Sequence, residues 1–202
     1  MTIQTGPDQE PVLPPYDGIK LSDVRLVKSP QDAEAALRAL MAADVIGFDT
    51  ESKPTFVKGE ASNGPHLIQL ATDELAYLFQ IGSLPALEVV KAVLESTSTL
   101  KVGFGLSDDV KRLRAKLNIA PAQVLDLAKA LRAGQRNDLG AKSAVARFFG
   151  QCLQKSKKIS TTNWANLRLS ERQILYAAND AQVALRVYRR WRADAAIAPI
   201  RF

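Results

Sequence analysis

Three short stretches of this chain carry acids in the pattern that metal-assisted phosphoryl chemistry requires. Val45-Ile46-Gly47-Phe48-Asp49-Thr50-Glu51 is an apolar run ending in Asp-x-Glu. Lys101 to Asp109 is a short apolar run, then Gly103 and Gly105, then Asp108 and Asp109. Tyr176 and Asp180 stand four residues apart. Asp49 and Glu51, two apart on a strand, project to one side. Tyr176 and Asp180, on a helix, share a face. Each pair can therefore converge on a point. Carboxylates beyond the ends of apolar strands, with no Lys or Arg set beside them, are costly unless a cation neutralises them. Oxygen donors suit Mg²⁺ and Mn²⁺. Two such ions about 4 Å apart activate a water and stabilise the leaving oxygen of an in-line displacement.

The elements that must position these residues are legible in outline. Residues 1–20 contain Pro7, Pro11, Pro14 and Pro15 and few large apolar groups, so they read as an extended or disordered lead-in, with the domain occupying residues 21–202. Val24–Val27 is a short strand. Ser29-Pro30 caps a helix of strong formers, Ala33 to Ala43. Val45–Glu51 is a buried strand, and His66–Ala71 with Ala76–Ile81 is a hairpin turning at Asp73-Glu74. A polar loop with Gly59, Asn63 and Gly64 joins the two. A helix over Leu84–Glu95 precedes a strand at Leu100–Phe104. Ser107 is expected to cap a helix towards Asn118. Val124-Leu125 is a short strand, Asp126 caps Leu127–Ala133 before Gly134, and Leu139–Phe149 is helical until Gly150. Lys155–Thr162 is polar and basic without periodicity. Ser170-Glu171-Arg172-Gln173 is a capping box opening a helix that continues through Trp191. Strands in series, then strands alternating with helices, predict an α/β fold with a mixed sheet of five or six strands flanked by helices.

Composition narrows the function classes. With 202 residues, 47% hydrophobic and 24% charged, the chain suits one α/β domain with a proper core. One cysteine, Cys152, excludes an internal disulfide or a thiolate cage, and one histidine, His66, excludes a multi-histidine zinc site. No apolar stretch reaches the length of a membrane span, and no basic-then-apolar leader opens the chain. No membrane association and a cytoplasmic location are expected. The net charge of +6 gains meaning because the candidate site is acidic. The positive surface must lie elsewhere, where it can hold a phosphate backbone.

The three stretches resemble the ExoI, ExoII and ExoIII motifs of the DEDDy 3′–5′ exonuclease family, which includes ribonuclease D, the Werner exonuclease domain and polymerase proofreading domains. Asp49-x-Glu51 matches the first motif, Gly105-Leu106-Ser107-Asp108-Asp109 the second, and Tyr176-x-x-x-Asp180 the third. The likeness extends to Leu67-Ile68-Gln69-Leu70, Ser160 to Trp164 and Leu169 to Ala181, so it covers residues 22–192 in all. It implies a ribonuclease H-like fold and hydrolysis of single-stranded DNA or RNA 3′ ends to nucleoside 5′-monophosphates. It further implies two divalent ions, Mg²⁺ or Mn²⁺, on Asp49, Glu51, Asp109 and Asp180, with Tyr176 orienting the nucleophilic water. The alternatives are a ribonuclease D-like RNA-trimming enzyme and a catalytically weak nucleic-acid-binding module.

Asp109 is preferred to Asp108 for a physical reason as well. In a helix starting near Ser107, Asp109 shares a face with Leu113 and the core, and Asp108 shares one with Arg112 and solvent. Thr50, Phe104 and Leu106 are assigned to substrate contact, Phe104 and Leu106 by stacking on a terminal base; for those two, core packing is the competing reading. His66 reads as a strand-edge residue more readily than as a base. Lys53, Lys58, Lys155, Lys157 and Lys158 are solvated loop charges or phosphate contacts. Trp164 reads as structural and Cys152 as a buried or half-buried thiol.

Overall fold

Six apolar runs pair into one mixed sheet among the residues that this computed structural model describes, 13–55, 63–82, 84–132 and 136–197. They are β1 (Val24–Leu26), β2 (Val45–Glu51), β3 (Leu67–Ala71), β4 (Ala76–Gln80), β5 (Leu100–Gly103) and β6 (Val124–Asp126), in the order β1-β4-β3-β2-β5-β6. β2, β3 and β4 pair antiparallel in turn. β1 lies parallel to β4, β5 to β2 and β6 to β5. The expected hairpin is β3–β4, closed where the Thr72 N–H donates to the Leu75 carbonyl at 2.9 Å.

Alternation along β2 sorts its side chains between two faces. Ile46 and Phe48 join Ile68, Leu70 and Phe79 beneath α1 (Pro30–Ala42), α2 (Leu84–Glu95) and α3 (Ser107–Leu117). Val45 joins Val102 against α4 (Leu127–Ala130), α5 (Ala141–Phe149) and the long α7 (Glu171–Ile197). Ile46 and Phe48 are wholly buried, and each contributes about 1.5–3 kcal/mol through its apolar surface. The apolar half of β2 thus anchors the strand and fixes its acidic end.

The expected Ser29 cap is present as a full capping box, and so is the expected Ser170 box. Ser29 Oγ accepts from the Asp32 N–H at 3.1 Å while Asp32 accepts from the Ser29 N–H at 3.0 Å. Ser170 and Gln173 repeat the exchange at the head of α7, which runs on past Trp191 to Ile197. Asp126 caps α4 by accepting from the Ala128 N–H at 3.1 Å, but α4 ends at Ala130, and Gly134 lies outside the described residues. Ser107 is not a cap. Leu106 already has helical dihedrals, and the Ser107 hydroxyl instead accepts from Lys129 Nζ at 2.7 Å. The helix expected from Leu139 begins at Ala141. The basic stretch expected to lack regular structure contains one helical turn, α6 (Lys157–Ser160). Residues 13–20 are extended and docked. Pro14 and Tyr16 exchange backbone hydrogen bonds with Cys152 at 2.7 and 3.0 Å, and the Ile19 N–H donates to Asn179 Oδ1 at 3.0 Å. No helix among the described residues is long and apolar enough to cross a membrane.

Lys101 on β5 is fully buried without an acid partner. Its ammonium donates to the carbonyls of Ser96 at 2.6 Å and Thr99 at 2.9 Å, and burial lowers its pKa to about 8. The folded state therefore binds this proton less tightly than the unfolded chain. Stability gained from Lys101 rises with pH between about 8 and the ordinary lysine value, by at most about 3 kcal/mol. Lys101→Met should remove that dependence. Urea denaturation at pH 7.5 and 10 checks it: the wild type should gain on the variant at the higher pH, and a pH-independent gap refutes the assignment.

Candidate active site

α7 crosses the face of β2 that carries Val45, Gly47, Asp49 and Glu51. A Cβ on Gly47 would lie 1.9 Å from the Ala181 carbonyl oxygen, so only glycine admits the helix backbone this closely. The helix answers with Ala177, Ala178, Ala181 and Ala184, all fully buried. From that point the spacings match. Two strand residues advance about 6.6 Å and four helical residues about 6 Å. Asp49 accordingly lies within electrostatic reach of Asp180, and Glu51 of both Asp180 and Tyr176.

Asp109 arrives from the opposite side of β2. Thr50 alternates to that face, and its hydroxyl donates to Asp109 Oδ1. The turn that delivers α3 requires Gly105, whose φ of +71° is left-handed, and its N–H donates to Asp126 Oδ1 at 2.9 Å. Asp109 is 7% exposed and sits on the buried face with Leu113; Asp108 is exposed and pairs with Lys111 at 3.1 Å. Arg112, expected to share the solvent face with Asp108, does not stay there. Arg112 turns inward and reaches Asp109 Oδ1 at 3.0 Å. Asp109→Asn should therefore lower exonuclease turnover by on the order of a hundredfold, and Asp108→Asn by less than about twofold. Equal losses in one assay would overturn the distinction.

The cluster is electrostatically strained. Burial first, then the charges of Asp49 and Asp180, pushes the Glu51 carboxyl up to about 9. Burial, Asp180 and Asp109 hold Asp49 well above the usual carboxylate range, although the Thr50 N–H donates to its Oδ1 at 2.8 Å. Burial also raises Asp180, against the influence of Lys155. Tyr176 is pushed up to about 12, by burial and then by Asp180. Its hydroxyl is therefore a neutral donor at physiological pH.

Lys155 was expected at the surface, and no Lys or Arg was expected beside the acids. Both expectations fail. Lys155 Nζ lies 2.9 Å from Asp180 Oδ1, with the lysine side chain 29% and the aspartate 6% exposed. It also sits 5.7 Å from the centre of the Tyr176 ring. Burial works against this ammonium, yet Asp180 and Asp49 raise its pKa. As they stand, no three or more His, Cys, Asp or Glu side chains among the described residues are arranged to hold a metal ion. Lys155 and Arg112 engage two of the carboxylates instead. The donor set itself is all oxygen, crowded and short of positive charge, which fits a hard divalent cation.

The remaining candidates are dispersed. Leu106 is 1% exposed within the core, which leaves it no face for a base; Phe104 is half-buried against the other core cluster. His66 follows β2 across the ladder, donating its N–H to the Glu51 carbonyl at 2.8 Å, and its Nδ1 accepts from the Lys53 N–H at 3.1 Å. Lys58 lies outside the described residues; Lys157 opens α6. Trp164 is wholly buried, donates Nε1–H to the Ser160 carbonyl at 3.1 Å and places its ring 6.1 Å from that of Tyr176. Cys152 is exposed rather than buried, although its backbone bonds to Pro14 and Tyr16.

A family model described as 3′–5′ exonuclease matches residues 24–193. The chain belongs to the 3′–5′ exonuclease family. The mouse bifunctional 3′–5′ exonuclease/ATP-dependent helicase WRN is 30% identical over 152 residues, 73% of this chain and 11% of the relative. The exonuclease mut-7 homolog of Aedes aegypti is 31% identical over 210 residues, 91% of this chain and 28% of the relative. The chain thus spans a minor part of either. The crystal structure of the Aedes aegypti Nibbler EXO domain superposes with a TM-score of 0.76 at 26% identity, over 90% of this chain and 93% of that one. The expected ribonuclease H-like fold is therefore the fold of this exonuclease-family domain.

Proposed function

We propose that this domain hydrolyses nucleic acid from its 3′ end, releasing nucleoside 5′-monophosphates with the help of two divalent ions, Mg²⁺ or Mn²⁺. The observation that carries the reading is the meeting of Asp49, Glu51, Asp180 and Tyr176 where α7 crosses the end of β2. Family membership over residues 24–193 supports it. Asp49, Glu51 and Asp180 would hold one ion; Asp49 and Asp109 would share the second. Bound there, such ions supply an activated water and charge stabilisation for the leaving oxygen. The chain's own groups do the rest. Tyr176, neutral and braced by Trp164, orients the attacking water. Thr50 holds the Asp109 carboxylate in place through its hydroxyl. The carboxylates act on phosphate, which DNA and RNA share.

One assay tests the proposal. Single-stranded DNA, duplex DNA and RNA, each labelled at the 5′ end, are incubated with Mg²⁺ or Mn²⁺. A ladder shortening from the 3′ side, slowed by a 3′-phosphate, is expected, with frayed or single-stranded ends preferred. Cleavage of a circular single strand at a comparable rate would make the enzyme an endonuclease. No cleavage of any strand would leave a binding module.

A further inference from the structure

Beside the acids, the ends of β3 and β4 frame a cleft of about 460 Å³. Lys28, His66, Ile81, Leu167 and Arg168 are among the residues that line it. Two lining groups are cationic and none is acidic. Leu167 is 91% exposed at the rim, far more than any other large hydrophobic residue among those described. The segment that carries Leu167 is held in place: the Gln80 side chain donates to the Asn166 carbonyl at 2.9 Å, and the Asn163 and Asn166 side chains bond at 2.9 Å.

Two residues that line the cleft, His66 and Trp164, also neighbour the acid cluster. His66 also lines a smaller cleft of about 180 Å³ with Lys53 and Ala165, and its backbone is bonded to Glu51. Trp164, which also lines the cleft, packs its ring beside Tyr176. A ligand reaching from the carboxylates across His66 therefore meets apolar surface edged by cations. That combination suits one chemistry, a flat base joined to an anionic phosphate.

We infer that this cleft is a binding subsite for the nucleotides immediately 5′ of the scissile phosphate. Lys28 and Arg168 meet phosphates, and Leu167 and Ile81 meet base faces. The assignment rests on the proposed exonuclease reading: an enzyme that consumes a 3′ end has its terminal nucleotide over the acids, so whatever lies beyond is upstream strand.

The test measures binding by fluorescence anisotropy in the Asp49→Asn background, which prevents degradation. Labelled single-stranded oligonucleotides of two to ten nucleotides are compared with and without Lys28→Glu plus Arg168→Glu, and separately with Leu167→Asp. The double variant should weaken ten-nucleotide binding by at least about tenfold, with a loss that grows with length. It should also flatten the dependence of log affinity on log salt by about 1.4, the value for two phosphates on a single strand. Leu167→Asp, at a fully solvated position, should weaken the longer strands too. Unchanged affinity at every length overturns the subsite, as does the same fractional loss at every length. Tighter binding of an acidic peptide than of the oligonucleotides would assign the cleft to a protein instead. If the wild type degrades 3′ ends while the cleft variants bind normally, the subsite alone fails. If the wild type neither binds nor cleaves any strand, the exonuclease reading fails with it.

Discussion

Asp49→Asn is expected to give a folded protein that releases no nucleotide from a 3′ end yet resists urea better than its parent. The two effects share a cause. In the proposed mechanism Asp49 would serve both ions, and losing several kcal/mol of charge stabilisation would slow the chemical step by on the order of a thousandfold or more. The same carboxylate is held well above its ordinary pKa by burial and by Asp180 and Asp109. The folded state thus binds this proton more tightly than the unfolded chain. Stability from this group is present at low pH and is lost as pH rises from the ordinary aspartate value through the raised one. Asparagine keeps the acceptor for the Thr50 N–H and removes the charge. In EDTA the variant should gain about 1–2 kcal/mol at pH 8 and less at pH 5. Denaturation at both values, with turnover in Mg²⁺, decides it. Near wild-type turnover would remove Asp49 from the site, and a gain independent of pH would remove the electrostatic account.

Local rules made most of this architecture readable. The run Val45–Glu51 is a strand because its apolar residues serve both faces of a central position. Ser29 and Ser170 mark helix starts because a hydroxyl and a residue three places on satisfy otherwise orphaned N–H groups. Asp109 was separable from Asp108 because a residue four places from Leu113 must turn inward. The misses are tertiary. Arg112 is three from Asp109 and four from Asp108, spacings that helix geometry treats alike; burial of Asp109 decided the pairing. Gly47 looks like a weak point in a strand until the Ala181 carbonyl is seen against it. Leu13–Lys20 docks by backbone bonds to Cys152, by Asn179, and by burying Ile19 and packing Tyr16 on Phe149, tertiary contacts that the prolines of this stretch do not reveal. Lys155 lies 25 residues before Asp180 in a segment without periodicity, and only the path through α6 brings them together.

That lysine makes a second large effect expected. In EDTA, Lys155→Met should be less stable than the parent by about 2–3 kcal/mol, because removing one partner of a largely buried pair leaves the other charge uncompensated. Asp180 is the partner at 2.9 Å, and Asp49 and Glu51 also interact with the ammonium. Without it, three carboxylates face one another with no cation among them. A divalent ion restores more positive charge than the lysine carried. Added Mg²⁺ should therefore close the stability gap, and the variant should show a steeper rise of melting temperature with Mg²⁺ than the wild type. The same reasoning fixes the sign of the binding change. A metal entering the wild-type site must displace an ammonium from Asp180; in the variant nothing stands there. Calorimetric titration of the protein without nucleic acid should find tighter Mg²⁺ or Mn²⁺ binding in Lys155→Met, by about tenfold if displacement costs on the order of 1.4 kcal/mol. A solvated surface lysine would change neither stability nor affinity. Weaker metal binding in the variant would show that Lys155 holds Asp180 in place for the cation rather than competing with it.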